Sequence, residues 1–243
     1  MENSTHRHDY EIVGNYEVCK ICQKKILHIK SDGQAIREYK DGTTRKYFVR
    51  EHRMAWFTPD VWNLVFNKLK SEKAKRTAEI LIQTGCRINE GRHVEEYDLD
   101  ADRNLLTLRI TKRKARKQEH KSKPRTIPIN EDYAKRLKRY LVKEKKINIL
   151  STSAFNTALK KAIAEVNDPR VRPEMFSAHS IRKTHGNWLK NLGNLGMCKV
   201  DATEICLRLG HDYQTYLRDY GSSGSFTPLD AVTAKKILGG LYA

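Results

Sequence analysis

The stretch LRLGHDYQTYLRDYG, Leu207 to Gly221, sets His211 just after a Leu-Gly pair and follows it with Tyr213, Tyr216 and Tyr220. A phenol can pack, hydrogen-bond or act as a nucleophile, and an aromatic at helical spacing is most often core. The tyrosines alone therefore do not say which of them does chemistry. Two other groupings bear on the question. SAHSIRKTHGNWL puts His179 and Arg182 three apart at the start of a helix, hence on one face, where free backbone N–H groups and the helix dipole favour an anion. TGCRINEG sets Arg87 just after a helix-ending glycine, with Glu90 three residues on to orient it. Taken singly, the first is the pattern of a solvated helix face and the second that of a surface salt bridge.

The charge balance supplies an anion. Lys and Arg number 47 against 29 Asp and Glu, a formal charge of +18, and nucleic acid is the commonest polyanion inside cells. At 243 residues the chain can build one sizeable core and a small appendage. No run approaches the roughly 18 apolar residues of a spanning helix, and MENSTHRHDY lacks the apolar stretch of a signal peptide, so a cytoplasmic, DNA-associated protein without membrane contact is expected. Five cysteines in such a chain argue against a disulfide framework.

These residues need elements to position them. Residues 1–54 show short alternating runs with turn signals at SDG and KDG, which predicts a small β-rich module. From residue 55 the pattern turns helical. Thr58 and Pro59 open a first helix with Trp62, Val65, Phe66 and Leu69 on one face, and EKAKRTAEILIQTG forms a second that ends at Gly85. LLTLRIT and RTIPI read as the strands of a hairpin around the basic tip KRKARKQEHKSKP. EDYAKRLKRYLVKEKK, SAFNTALKKAIAEV, SAHSIRKTHGNWLKNLG and VDATEICLRLG follow as helices. In the tail, Thr227 and Pro228 open a last helix whose stripe is Leu229, Val232, Ile237 and Leu238. The expected fold is mainly α with a small antiparallel sheet, in domains 1–54 and 55–243.

TGCRINEG, the basic hairpin, HSIRKTH, LRLGH and a tyrosine nine residues beyond that last histidine stand in the order and spacing of the catalytic domain of the tyrosine recombinases, the phage-integrase family. The chain resembles that family from about Trp56 to Tyr220. The resemblance implies a DNA-cutting and rejoining enzyme with Tyr220 as nucleophile. It makes Arg87, buttressed by Glu90, the first catalytic arginine, His179 and Arg182 the His-x-x-Arg motif, and His211 the histidine of the Leu-Gly-His turn. Tyr213 and Tyr216 are then packing residues or backbone contacts.

Such roles suit these residue types. Forked guanidiniums match the equatorial oxygens of a phosphodiester under attack, His211 adds a donor, and His179 can take the phenolic proton. A phosphotyrosine ester conserves the energy of the broken bond for resealing. The family's general acid is a hairpin lysine. Lys112 is the choice by counting from the strand, with Lys114, Lys117 and Lys121 still open. The basic residues Lys114, Arg116, Lys117, Lys121, Lys123 and Arg125 are assigned to DNA binding.

In the N-terminal module, Cys19 and Cys22 flanked by His8 (or His6) and His28 could close a structural zinc site. Cys86, Cys198 and Cys206 read as buried thiols. Most of the family carries a helical core-binding domain ahead of the catalytic one, and about fifty-five β-like residues cannot be that domain. The basic module and hairpin, or a partner, must then replace its grip, unless the enzyme is minimal or truncated. The reading is thus a site-specific recombinase or integrase of a mobile element or viral genome, acting on double-stranded DNA and assembling there as a homo-oligomer. A relaxing enzyme of the type IB topoisomerase kind and a non-catalytic, zinc-bearing DNA-binding protein on the same scaffold are the alternatives. The tail helix is expected to dock on a neighbouring protomer, with docking on its own body as the alternative.

Overall fold

In a computed structural model, described for residues 9–23, 25–28, 34–38, 42, 44–48, 55–109, 124–220 and 225–239, the chain forms two compact units, residues 1–53 and 54–243. The expected hairpin tip lies outside the described residues, and with it Lys112, Lys114, Arg116, Lys117, Lys121 and Lys123; so do His6 and His8.

The first unit is all β. Strands β1 (Tyr10–Val13), β2 (Tyr16–Cys19) and β3 (Lys25–Leu27) form an antiparallel meander, and β4 (Gln34–Glu38) pairs with β5 (Thr44–Phe48). Between β1 and β2 the chain reverses over two residues, Gly14 and Asn15, with Gly14 at φ +61°, the conformation a tight hairpin asks of its first turn residue. Cys19 is buried at the end of β2 and Cys22 is exposed, while His28 Nδ1 lies 3.1 Å from Glu17 Oε1. Among the described residues no three His, Cys, Asp or Glu side chains come together as a metal site.

The second unit begins with helices α1 (Pro59–Lys68) and α2 (Glu72–Thr84) and the single turn α3 (Ile88–Gly91). A three-stranded antiparallel sheet follows, ordered β6 (Leu99–Asp100), β7 (Leu105–Leu108) and β8 (Arg125–Pro128), with Leu105 opposite Pro128 and Leu108 opposite Arg125. The short edge strand β6 joins the hairpin anticipated from the sequence. Helices α4 (Glu131–Glu144), α5 (Thr152–Val166), α6 (Ala178–Asn194) and α7 (Ala202–Leu209) occupy the expected segments. After them come α8 (Tyr213–Tyr220), which the sequence reading left without an element, and α9 (Pro228–Leu238).

Helix α6 is the axis of this unit. Its apolar residues Ile181, Trp188, Leu189 and Leu192 are buried, and so are Ser180, Arg182, Lys183, Thr184, His185, Asn187 and Asn191. Several of these polar groups hold neighbouring backbone in place. Phe57 N donates to Thr184 Oγ1 (2.9 Å), Trp188 Nε1 donates to the Phe57 carbonyl (2.8 Å), and Phe226 N donates to Asn191 Oδ1 (3.1 Å). These bonds fasten both ends of the unit to one helix, around a Phe57–Phe176 stack at 4.2 Å.

The tail helix keeps half of the expected stripe: Leu238 is buried and Ile237 packs against the core, whereas Leu229 and Val232 are 75% and 59% exposed and Ala231 and Ala234 are buried in their place. The face presented to the body is small, which lets α9 lie close on α1, α2 and α6 of its own chain, fixed by a 2.7 Å bond from Gln83 Nε2 to the Ile237 carbonyl. In this single chain the helix takes the cis position. A helix of eleven residues is marginal alone, and this nearby surface offers it burial and a hydrogen bond.

Candidate active site

The site grows from the end of α2. Gly85 takes φ +60° there, and a Cβ on it would fall 2.6 Å from both His185 Cδ2 and Leu209 Cδ2, so glycine is required for conformation and for space. The tight stop sets Arg87 at the start of α3. Glu90 then folds back: its Oε2 accepts from Arg87 N (2.9 Å) and its Oε1 from Arg87 Nη1 (3.0 Å).

Glu90 is 3% exposed and answers two arginines. Arg125, on β8, places Nη2 2.6 Å from Oε2 and Nη1 3.4 Å from Oε1, and its Nε donates to the Arg208 carbonyl at 2.6 Å. Burial would raise the Glu90 pKa, but the hydrogen bond and charge of Arg125, helped by Arg87 N–H and the charge of Arg182, bring it down to about 2. Removing one partner from such a buried pair costs on the order of 3–5 kcal/mol. Arg125, expected among the DNA contacts, is turned inward with a side chain only 10% exposed. Strand alternation was the available signal, because Arg125 shares its face with the buried Ile127 and Ile129.

Arg182 is buried on α6. Its Nη1 donates to the Gly85 carbonyl (2.6 Å) and its Nη2 to the Leu209 carbonyl, while Nε is buried and makes no hydrogen bond among the described residues. Burial lowers its pKa to about 10, with the charge of Arg87 pulling the same way and Tyr220 and Glu90 opposing. Arg182 therefore stays a cation near pH 7. Two cations held close in a part-buried pocket are what an anion would relieve.

His185, one helical turn on from Arg182, was not singled out from the sequence. It is fully buried and neutral, its pKa pushed down to about 3 by burial, and its Nδ1–H donates to the Ile82 carbonyl at 2.7 Å. It ties α6 to the last turn of α2 and so sets the spacing between Arg182 and Arg87. His179 sits exposed in the first turn of α6.

The other wall is α7–α8. Gly210, at φ +60°, closes α7, and His211 N donates to the Cys206 carbonyl (2.9 Å). The turn brings the His211 ring to 6.2 Å from the Tyr220 ring, centroid to centroid. Tyr213, Tyr216 and Tyr220 form a stack along α8, at 5.9 and 5.6 Å, from exposed Tyr213 to Tyr220, which is 1% exposed. Lys190 Nζ holds the Tyr220 carbonyl at 2.6 Å. The fold thus gathers Arg87, Glu90, Arg125, Arg182, His211 and Tyr220 from four separate stretches of chain.

A family model described as the phage integrase family matches residues 56–220. Solved structures share the architecture. The XerA recombinase is similar with a TM-score of 0.54 at 15% identity, over 78% of this chain and 66% of that one. The Tn1549 transposon integrase in complex with circular intermediate DNA scores 0.52 at 17% identity, over 78% and 68%. The XerH site-specific recombinase bound to a palindromic difH substrate scores 0.51 at 13%, over 82% and 60%. This chain thus spans about two thirds or less of those proteins' lengths, and at such identities the likeness is one of fold. No curated protein matches it in sequence. With the matched segment running from the start of the helical unit to Tyr220 and taking in every residue of the site, the chain belongs to the phage integrase family.

Proposed function

We propose that this protein is a site-specific recombinase that cuts and rejoins double-stranded DNA through a covalent 3′-phosphotyrosine intermediate, as the integrase of a mobile element. The observation that carries the reading is the convergence of Arg87, Arg182 and His211 around the buried Tyr220. Family membership and the DNA-bound relatives support it.

In the proposed step the Tyr220 phenolic oxygen attacks a backbone phosphorus and its proton passes to His179 or to solvent. The bond to the 5′-oxygen breaks, and that oxygen leaves with a proton from a hairpin lysine, Lys112 on the family pattern. Arg87 and His211 meet the charge that develops on the non-bridging oxygens, and Arg182 adds its field from beneath. Reversal by a 5′-hydroxyl, from the same or another duplex, reseals the strand and releases the tyrosine. A ring that is 1% exposed cannot meet a phosphate, so DNA engagement must draw the α8 end out of its pocket. Assembly of two or more protomers on paired sites belongs to the same proposal.

The test is a covalent one. Fragments of the source genome, nicked so that the leaving strand diffuses away, should trap a denaturation-resistant protein–DNA adduct. Transfer of label between two duplexes, rather than relaxation of one supercoiled circle, separates recombination from topoisomerase action.

A further inference from the structure

Arg125 occupies a junction that neither the family pattern as carried over above nor the proposed step assigns. Its guanidinium meets three parts of the site: both carboxylate oxygens of Glu90 through Nη1 and Nη2, and the Arg208 carbonyl through Nε. Glu90 in turn holds the backbone and side chain of Arg87. The Arg208 carbonyl adjoins the Leu209 carbonyl, which accepts from Arg182, in the last turn of α7 that leads into the His211 turn. Arg125 itself begins β8, paired with Leu108 at the mouth of the hairpin whose tip bears the basic residues. We infer that Arg125 is a positioning residue of the cleavage site: it locks Glu90, and through it Arg87, to strand β8 and to the end of α7.

The inference rests on the proposed function. A role in gripping DNA does not fit, since the side chain is 10% exposed and three of its donor atoms are used within the chain. Lysine could keep the charge but could not fork onto Glu90 while reaching the Arg208 carbonyl. The groups facing Glu90 are Arg125 from β8, Arg182 from α6, and Arg87 and the Cys86 thiol from its own turn. With Arg125 removed, burial dominates and Glu90 takes up a proton at a higher pH, so Arg87 loses its anionic buttress as pH falls.

The experiment compares Arg125→Gln, Arg125→Lys, Glu90→Gln and the double variants in single-turnover cleavage of a nicked duplex that the wild type cleaves, with melting followed alongside. Arg125→Gln should slow cleavage at least tenfold at pH 7. Arg125→Lys should recover part of it. In the Glu90→Gln background, replacing Arg125 should cost no more than about twofold. Full additivity with Glu90→Gln overturns the inference; should Arg125→Gln fail to fold, the Arg125→Lys cycle decides by the same criterion.

The carboxyl carbon resonance of Glu90, in carbon-13 glutamate-labelled protein, reads the link without chemistry. It should stay that of an ionised group wherever the wild type is folded and titrate within the folded range once Arg125 is replaced. That result beside a wild type forming no adduct on any fragment would sustain the link and remove the proposed function. Wild-type cleavage by Arg125→Gln with an unmoved Glu90 resonance would sustain the function and remove the link.

Discussion

Gly186 and Tyr220 occupy adjoining space: a Cβ at position 186 would lie 2.7 Å from the Tyr220 Cε1 atom and 2.9 Å from Cζ. The ring of the proposed nucleophile is thus stored against the central helix because α6 has no side chain there. Gly186→Ala should destabilise the fold by up to about 2 kcal/mol, the overpacking cost of about 1–3 kcal/mol less roughly 1 kcal/mol of helix propensity regained. Chemical denaturation measures it. Increased stability would mean that the ring yields freely and is not held by this contact.

The buried histidine gives stability a definite pH dependence. His185 is depressed in the fold to about 3 against 6.5, so between those values the unfolded chain binds the extra proton and the folded state loses stability as pH falls. Glu90, depressed to about 2 from 4.5, adds its own loss only below about pH 4.5. Melting should therefore decline from near pH 6.5 downward, and His185→Asn, whose amide can still reach the Ile82 carbonyl, should flatten the curve between pH 6.5 and 4.5. A slope unchanged in that variant would remove His185 as its source.

The two arginines should separate by stability. Arg87 has a side chain 39% exposed, and Arg87→Ala should slow single-turnover cleavage on the order of a hundredfold with little change in melting. Arg182→Ala should slow it at least as much and also lower the melting temperature, since the Gly85 and Leu209 carbonyls lose their donors. Equal melting of the two variants would contradict the division of roles.

For α9, substitutions should follow the observed face. Leu229→Ala and Val232→Ala, at exposed sites, should change stability by no more than about 0.5 kcal/mol. Ala234→Leu, at a fully buried one, should cost about 1–3 kcal/mol. Denaturant titrations decide it, and the reverse ranking would restore the stripe read from the sequence.

That stripe shows where sequence reading stops. The helices of the second unit are legible because their termini carry chemistry, Gly85 and Gly210 in left-handed stops and Thr227 with Pro228 at a start. Which face turns inward at the start of α9 is not, since close approach there selects Ala231 and Ala234 over Leu229 and Val232, and only the shape of the receiving surface decides that. Helix α8 escaped notice because a turn set by His211 and three tyrosines carry no strong helical signal. Among the site residues, Arg87, Glu90, Arg182, His211 and Tyr220 could be named from motif spacing. The inward role of Arg125 was present as strand alternation and was outweighed by the run of positive charge beside it, and His185 acquires meaning only through the Ile82 carbonyl, far away in sequence.

The most direct measurement of the central claim is the covalent adduct itself. Wild-type protein incubated with nicked duplexes should yield an adduct that survives denaturation, and digestion with mass spectrometry should place the nucleotide on the peptide containing Tyr220. Tyr220→Phe should abolish the adduct while DNA affinity stays within about threefold, because only the attacking oxygen is lost. An adduct that persists in Tyr220→Phe, or that disappears instead in Tyr216→Phe, would contradict the account.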